Sequence, residues 1–332
     1  MKPWREALHR EDGWSRKLQS PTMWIMAAAL FILVVGALLM PAIQKIKPQP
    51  HIVVYTSQDK VYAEELFKLF TTETGLEVRA VYDSEAVKTV GIANRLLAEQ
   101  RRPQCDVFWN NEELRTRQLA AKGVFDETAG WSAFGYRSRR LVINTNLVSA
   151  EKAPHSFTEL TNAAWRGKFA MAYPLFGTTA THFMALRSRA VQADWQEWCR
   201  ALAANQPMIV DGNSVVVRQV GRGEVAIGMT DFDDIAAGQR EGYPIVALPL
   251  SADSLLIPNT VGLVRGGPNP VGGQQFIKWL TKLETLHRLV AANAIEGMDP
   301  LKVSETTLTP NWPAILKDLD NATGELKQVF LR

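Results

Sequence analysis

Hydrophobic positions along the chain change period twice. Residues 23–43 (MWIMAAALFILVVGALLMPAI) form an uncharged apolar run of 21 positions, which at about 1.5 Å per residue matches a hydrocarbon core of roughly 30 Å. The run is longer than the apolar stretch of a cleaved signal, and Leu39-Met40-Pro41-Ala42 is a poor cleavage site. An uncleaved anchor is therefore expected at 23–43, with a long cleaved signal as the alternative. Five bases precede the run and two follow it, which places residues 1–22 in the cytoplasm and the body outside.

From His51 onward, short β-branched runs alternate with helical stripes. His51–Thr56 predicts a strand. Tyr62, Leu66, Leu69 and Phe70 share a helical face closed by Gly75, and residues 76–82 alternate as a strand. Ser84 is placed to cap a helix, residues 105–109 predict a strand, and residues 111–122 a helix ended by Gly123. A second series begins with a strand at 141–144. Ser156 and Glu159 have capping-box spacing, and a strand is expected at 168–172. Residues 178–204 read as helix, broken near Asp194. Strands follow at 208–210, 224–229 and 245–248, with helices at 214–221 and 231–240. Strands at 255–257 and 260–264 and helices at 276–282, 285–293 and 313–329 complete the chain. Such alternation predicts an α/β protein whose parallel sheets carry covering helices. It divides into an arm (1–22), an anchor (23–43), a linker (44–50), a first lobe (51–142 with 255–332) and a second lobe (143–254).

Charge sharpens this division. Residues 1–50 hold seven bases and three acids, so the remaining residues carry 3 − 4 = −1 of the chain's +3. The body has no electrostatic reason to seek nucleic acid. Two cysteines, Cys105 and Cys199, are too few for a disulfide framework and are expected to stay unbonded, one in each lobe.

In open α/β sheets ligands sit beyond the carboxyl ends of strands. Six polar loops fall there, around Ser57-Gln58-Asp59, Asp83-Ser84-Glu85, Asn110-Asn111-Glu112, Gly177-Thr178-Thr179, Asp211-Gly212-Asn213 and Thr230-Asp231-Phe232-Asp233-Asp234. Helix capping alone explains any one of them. The Gly177 turn also has the form of an anion site at a helix N-terminus. Converging acids such as Asp231 and Asp233 would need a metal or an ammonium group to relieve their repulsion. Nucleophile elbows, Walker loops and His-Glu-x-x-His are missing, and His182 is the one histidine near these loops.

The segments IVVYTSQDKVYAEELFKLFTTETGLEVRAVYDSEA, CDVFWNNE, PLFGTTATHFMAL, GNSVVVRQVGRGEVAIGMTDFDD and LIPNTVGLVRGGPNP resemble bacterial extracellular solute-binding proteins of the ferric-iron-binding type, over residues 51–295. These are the capture components of ABC importers. The resemblance implies a two-lobe periplasmic-binding-protein clamshell, here behind an N-terminal transmembrane helix. It implies no catalysis and no covalent cofactor, with an ABC permease and ATPase as partners and the body in the periplasm. Ligand contacts are expected at Ser57, Gln58, Ser84, Glu85, Asn110, Gly177, Thr178, Thr179, Asn213 and Thr230. Metal contacts are expected at Glu85, Asp231 and Asp233. The expected cargo is Fe3+ with a synergistic anion. Ferric-binding members use tyrosines in the loop after the strand matching Val225–Met229, where this chain has Asp231, Asp233 and Asp234. A phosphonate, sugar phosphate or other zwitterionic or anionic solute is the alternative, and a membrane-anchored ligand sensor the alternative class.

Overall fold

The structure is a computed structural model that describes residues 21–44, 50–83, 89–300, 303 and 307–331. The expected contacts Ser84 and Glu85 lie outside the described residues. The N-terminal unit contains helix α1 (Pro21–Gln44), 24 residues long, with Trp24, Phe31 and Leu33 exposed. Its side chains are described only from 24 to 35. Among the described residues no helix is long and apolar enough to cross a membrane. The expected single-pass span is therefore not supported, although its helical conformation is as read.

The second unit, Pro50–Arg332, holds nine strands among its described residues. β1 (His51–Thr56) lies between β2 (Glu77–Tyr82) and β3 (Val107–Asn110), all parallel. Helices α2 (Lys60–Thr74), α3 (Val90–Ala98) and α4 (Leu114–Ala121) follow these strands in turn. The next strand, β4 (Trp131–Asn144), has 14 residues where four were expected. Its first half pairs antiparallel with β9 (Leu256–Leu263), which also pairs with β3. Its second half pairs with β7 (Ile227–Asp231) and β8 (Ile245–Ala247). Beyond β7 lie β5 (Phe169–Ala172) and β6 (Met208–Val210), both parallel. β4 thus carries the sheet from one α/β lobe into the other.

The pattern hid β4 because Gly135, Arg137, Arg139 and Arg140 read as polar surface or turn. Gly135 sits at φ +55° in a bulge between Phe134 and Arg137, and a Cβ there would lie 2.6 Å from Ile295 Cδ1. β9 read as two strands because of Pro258. That proline falls past the β3 pairing and opposite the β4 bulge, so no ladder donor is lost.

Helices α5 (Gly177–Arg187) and α6 (Gln192–Ala204) replace the single broken helix expected there. They are followed by α7 (Asn213–Gly221), α8 (Phe232–Arg240), α9 (Pro270–Leu280), α10 (Leu283–Ala291) and α11 (Trp312–Phe330). One core joins β1 and β3 to α2 and α9 through Phe70, Trp109 and Phe276. Another forms around Phe169, Phe183, Trp195 and Cys199. Ile315, Leu319, Leu326 and Phe330 of α11 belong to this second core. The C-terminal helix therefore packs chiefly into the core of the second lobe and meets the first at α4, where Arg117 lies 4.8 Å over the Trp312 ring. This corrects its expected place in the first lobe; the amphipathic pattern does not name a helix's partner. Cys105 and Cys199 are buried and unbonded in separate cores.

Candidate functional site

A cleft of about 290 Å³ opens at the carboxyl ends of the strands. Four helices begin at its wall or floor. α2, α5, α7 and α8 start after Asp59, Phe176, Gly212 and Asp231, and at none does the N-cap side chain accept a bond from the helix. Polar residues were expected there as caps, yet these starts keep backbone N–H groups for other acceptors. Gly177, Thr178 and Thr179 of α5 face the cleft beside Asn213 and Ser214 of α7. Gly177 sits at φ +54°, the left-handed conformation that lets the chain turn from β5 into α5. Aligned peptide dipoles give such starts a partial positive charge, so two adjacent ones favour an oxyanion.

Across from them, β4 supplies two buried arginines. Arg139 Nη1 donates to Asp231 Oδ1 at 2.8 Å and to Asn213 Oδ1 at 3.0 Å. Arg137 Nη1 donates to Asp233 Oδ2 at 2.5 Å, and its Nη2 donates to the Asn111 carbonyl at 2.6 Å. Asp231 also accepts from Thr178 Oγ1 at 2.6 Å and from Asn213 Nδ2 at 3.0 Å. Burial alone would push its carboxyl up, but Arg139 and Arg137 outweigh burial and hold it below the ordinary value. Asp233 goes the other way, to about 6, because burial dominates and Asp231 and Asp59 add repulsion that Arg137 only partly offsets. Asp231, Asp233 and Asp234 bring carboxylate oxygens within 4.8 Å of one another, close enough to hold a cation. Two of the three are already neutralised by arginines.

The structure brings together Gly177, Thr178, Thr179, Asn213 and Asp231 of the expected set. Asp233 stands behind them against Arg137. Ser57 and Asn110 are buried and bonded to each other, and Ser57 Oγ also lies 3.0 Å from Asn111 Oδ1. Thr230 donates to the Asn213 carbonyl at 3.2 Å, positioning α7. Gln58 is buried with Oε1 unpaired among the described residues. Glu112, in the polar loop after β3, closes the start of α4. Its carboxylate accepts from the Leu114 and Arg115 amides at 2.5 and 3.0 Å. His182 is buried against Phe157 with Nε2 2.7 Å from the Asp253 carbonyl, away from the cleft lining, and burial drives it down to about 4.

Sequence reasoning missed Arg137 and Arg139, and it missed Tyr62 and Tyr173 on the cleft wall. Tyr62 accepts from Arg240 Nη2 at 3.1 Å, linking α2 to α8, and burial raises its phenol. Tyr62 of α2 and Tyr173 after β5 thus put phenols on the cleft lining. A signal was present: three arginines within four residues of an otherwise apolar run are hard to explain on a surface strand.

Residues 51–291 match the family described as bacterial extracellular solute-binding protein. The major ferric iron-binding protein of Neisseria meningitidis is 23% identical over 284 residues, covering 78% of this chain and 84% of its own. A putative 2-aminoethylphosphonate-binding periplasmic protein of Salmonella typhimurium is 24% identical over 250 residues, covering 70% and 72%. Among solved structures, the periplasmic binding protein AfuA of Actinobacillus pleuropneumoniae, with fructose-6-phosphate bound, superposes with a TM-score of 0.74 at 15% identity. That match covers 85% of this chain and 99% of AfuA.

Proposed function

Because this chain belongs to the bacterial extracellular solute-binding proteins, we propose that it captures an oxyanion-bearing solute outside the cytoplasm and presents it to an ABC permease and its ATPase. One observation carries the oxyanion: the starts of α5 and α7, free of side-chain caps, face one cleft that also holds Arg137. Charge complementarity there gives an anion both backbone donors and a guanidinium, in a space from which lobe closure would exclude water.

Ferric iron with a synergistic anion is the cargo the ferric-binding relatives favour. The anion would sit on α5 and α7, and the oxygens of Asp231, Asp233, Asp234, Tyr62 and Tyr173 would be the hard donors available to the metal. The arginine pairing of Asp231 and Asp233 favours a second reading, a phosphonate or sugar phosphate without metal, since each paired carboxylate has less charge to offer a cation. The named relatives include binders of both classes. α1 serves, in this reading, as a retained anchor that keeps the body near its permease. The uncharged run at 23–43 and the exposed Trp24 and Phe31 support it.

Native mass spectrometry with elemental analysis of the purified chain tests the proposal. An oxyanion-bearing mass is expected on each chain, with iron at equal stoichiometry if the cargo is metal. Iron bound with no accompanying anion would overturn it. A sensor would bind alike, and only pull-down of a partner other than the permease would favour that class.

A further inference from the structure

Helix α8 of the second lobe is tied to the first lobe at both ends. In its first turn Asp233 holds Arg137, whose other terminal nitrogen donates to the Asn111 carbonyl just past β3. In its last turn Arg240 donates from Nη2 to Tyr62 Oη of α2 at 3.1 Å. Asp233, Ala237 and Arg240 are spaced four and three residues apart, so they share one stripe of the helix. Ala237, between the two ties, lines the cleft, as do Lys60, Val61 and Tyr62 in the first turn of α2. The stripe of α8 therefore faces the start of α2 across the cleft. Seven residues separate the ties, about 10 Å along the helix axis.

The ties differ in kind. The first passes through Arg137, a buried residue of β4, which itself crosses between the lobes. Such a tie can survive a turn of the lobes about that strand. The second runs directly from lobe to lobe and is exposed at the edge of the cleft. It must break before the lobes part. Among the described residues no carboxylate pairs with Arg240, and the Tyr62 phenol is its side-chain partner. The guanidinium thus has no rival attachment within its own lobe.

We propose that Tyr62 and Arg240 form a latch across the cleft, positioning the lobes in the closed arrangement and setting how long solute is retained. Arg240 does this without lining the cleft, so its effect passes through Tyr62 and not through the solute. The latch rests on the solute-capture reading above and adds to it the pair that governs release.

Distances between two nitroxide labels test it on the full chain. Lys68→Cys on α2 and Arg218→Cys on α7 provide exposed label sites on the two lobes, while the native Cys105 and Cys199 are buried. Tyr62→Phe and Arg240→Met should each lower the ratio of closed to open separations about three- to tenfold, the worth of one hydrogen bond. The double variant should lose no more than either single one, because both remove the same bond. Arg240→Lys keeps a donor and should lose less. Release of inorganic phosphate should quicken by the same factor in each variant. A ratio unchanged in either single variant would overturn the latch, as would a double variant whose loss is the product of the two. So would phosphate binding that weakens in Tyr62→Phe and not in Arg240→Met, since the phenol would then be a direct solute contact. Failure of phosphate to bind wild type brings down the oxyanion reading alone, because the label distances need no solute. Thermal unfolding checks that the variants fold, and if one does not, the other single variant decides the matter.

Discussion

The loop after β3 and the loop after β7 look alike in sequence, Asn-Asn-Glu-Glu and Thr-Asp-Phe-Asp-Asp, each following an apolar strand and opening a helix. They do opposite things. After β3, Glu112 turns onto its own helix and accepts from the Leu114 and Arg115 amides, with Thr181 Oγ1 donating at 2.9 Å. After β7, Asp231 and Asp233 leave the start of α8 unbonded and take arginines from β4. One loop satisfies its helix and closes; the other exports its charge to a distant strand. The difference lies in the partner: β4 sets its guanidinium groups 92 and 96 residues away from these aspartates in sequence, and no local pattern contains that information.

Removing Asp231 should break this contrast most severely. Asp231→Ala leaves Arg139, fully buried, without its carboxylate, and losing one member of a buried pair costs about 3–5 kcal/mol. A large drop in Tm by calorimetry is expected, and an unchanged Tm would mean the pair is dispensable. Asp231→Ala therefore weakens ligand binding partly through the fold, and affinity should be compared only below the variant's own transition.

Asp233 gives a signed pH test. Its carboxyl is raised to about 6 from 3.8, so the folded chain binds more proton than the unfolded chain between these values. Its contribution to stability is full below about 4 and is lost as pH rises through 6. The uncharged Asp233→Asn should gain on wild type over that window by on the order of 3 kcal/mol. Chemical denaturation at pH 4, 5, 6 and 7 measures the stability of the variant minus that of wild type, which should rise with pH; a difference that stays flat or falls contradicts the reading.

How far these roles were legible can be judged from the same residues. The strand–helix alternation, the Gly177 turn and Asn213 were readable because local periodicity and turn chemistry specify them. The long β4, the membership of α11 in the second lobe and the arginine partners were not, because each depends on contacts between distant segments. Buried arginines also invert the rule that charge means surface, so the part of β4 most central to the site read as surface.

Glu112→Ala should show the other side of the contrast. Two amides of α4 lose their acceptor, which costs about 1–2 kcal/mol as the loss of a helix cap does. Affinity for inorganic phosphate should stay within about twofold, since Glu112 bonds its own helix, Thr181 and Asn110 and does not line the cleft. Gly177→Ala is milder. A Cβ at Gly177 meets nothing within 4 Å, so only the positive φ is penalised, at about 1 kcal/mol. Isothermal unfolding should find a loss of that size, and any gain in stability would argue against the left-handed turn.

The oxyanion site itself is tested most directly by amide NMR of the protein titrated with inorganic phosphate. Saturable shifts sharing one Kd are expected at the amides of Thr178, Thr179 and Ser214, with the Leu114 and Arg115 amides unmoved behind Glu112. Shifts confined to Asp231, Asp233 and Asp234, or none at the α5 and α7 starts at saturating phosphate, would contradict an anion site built on those helices.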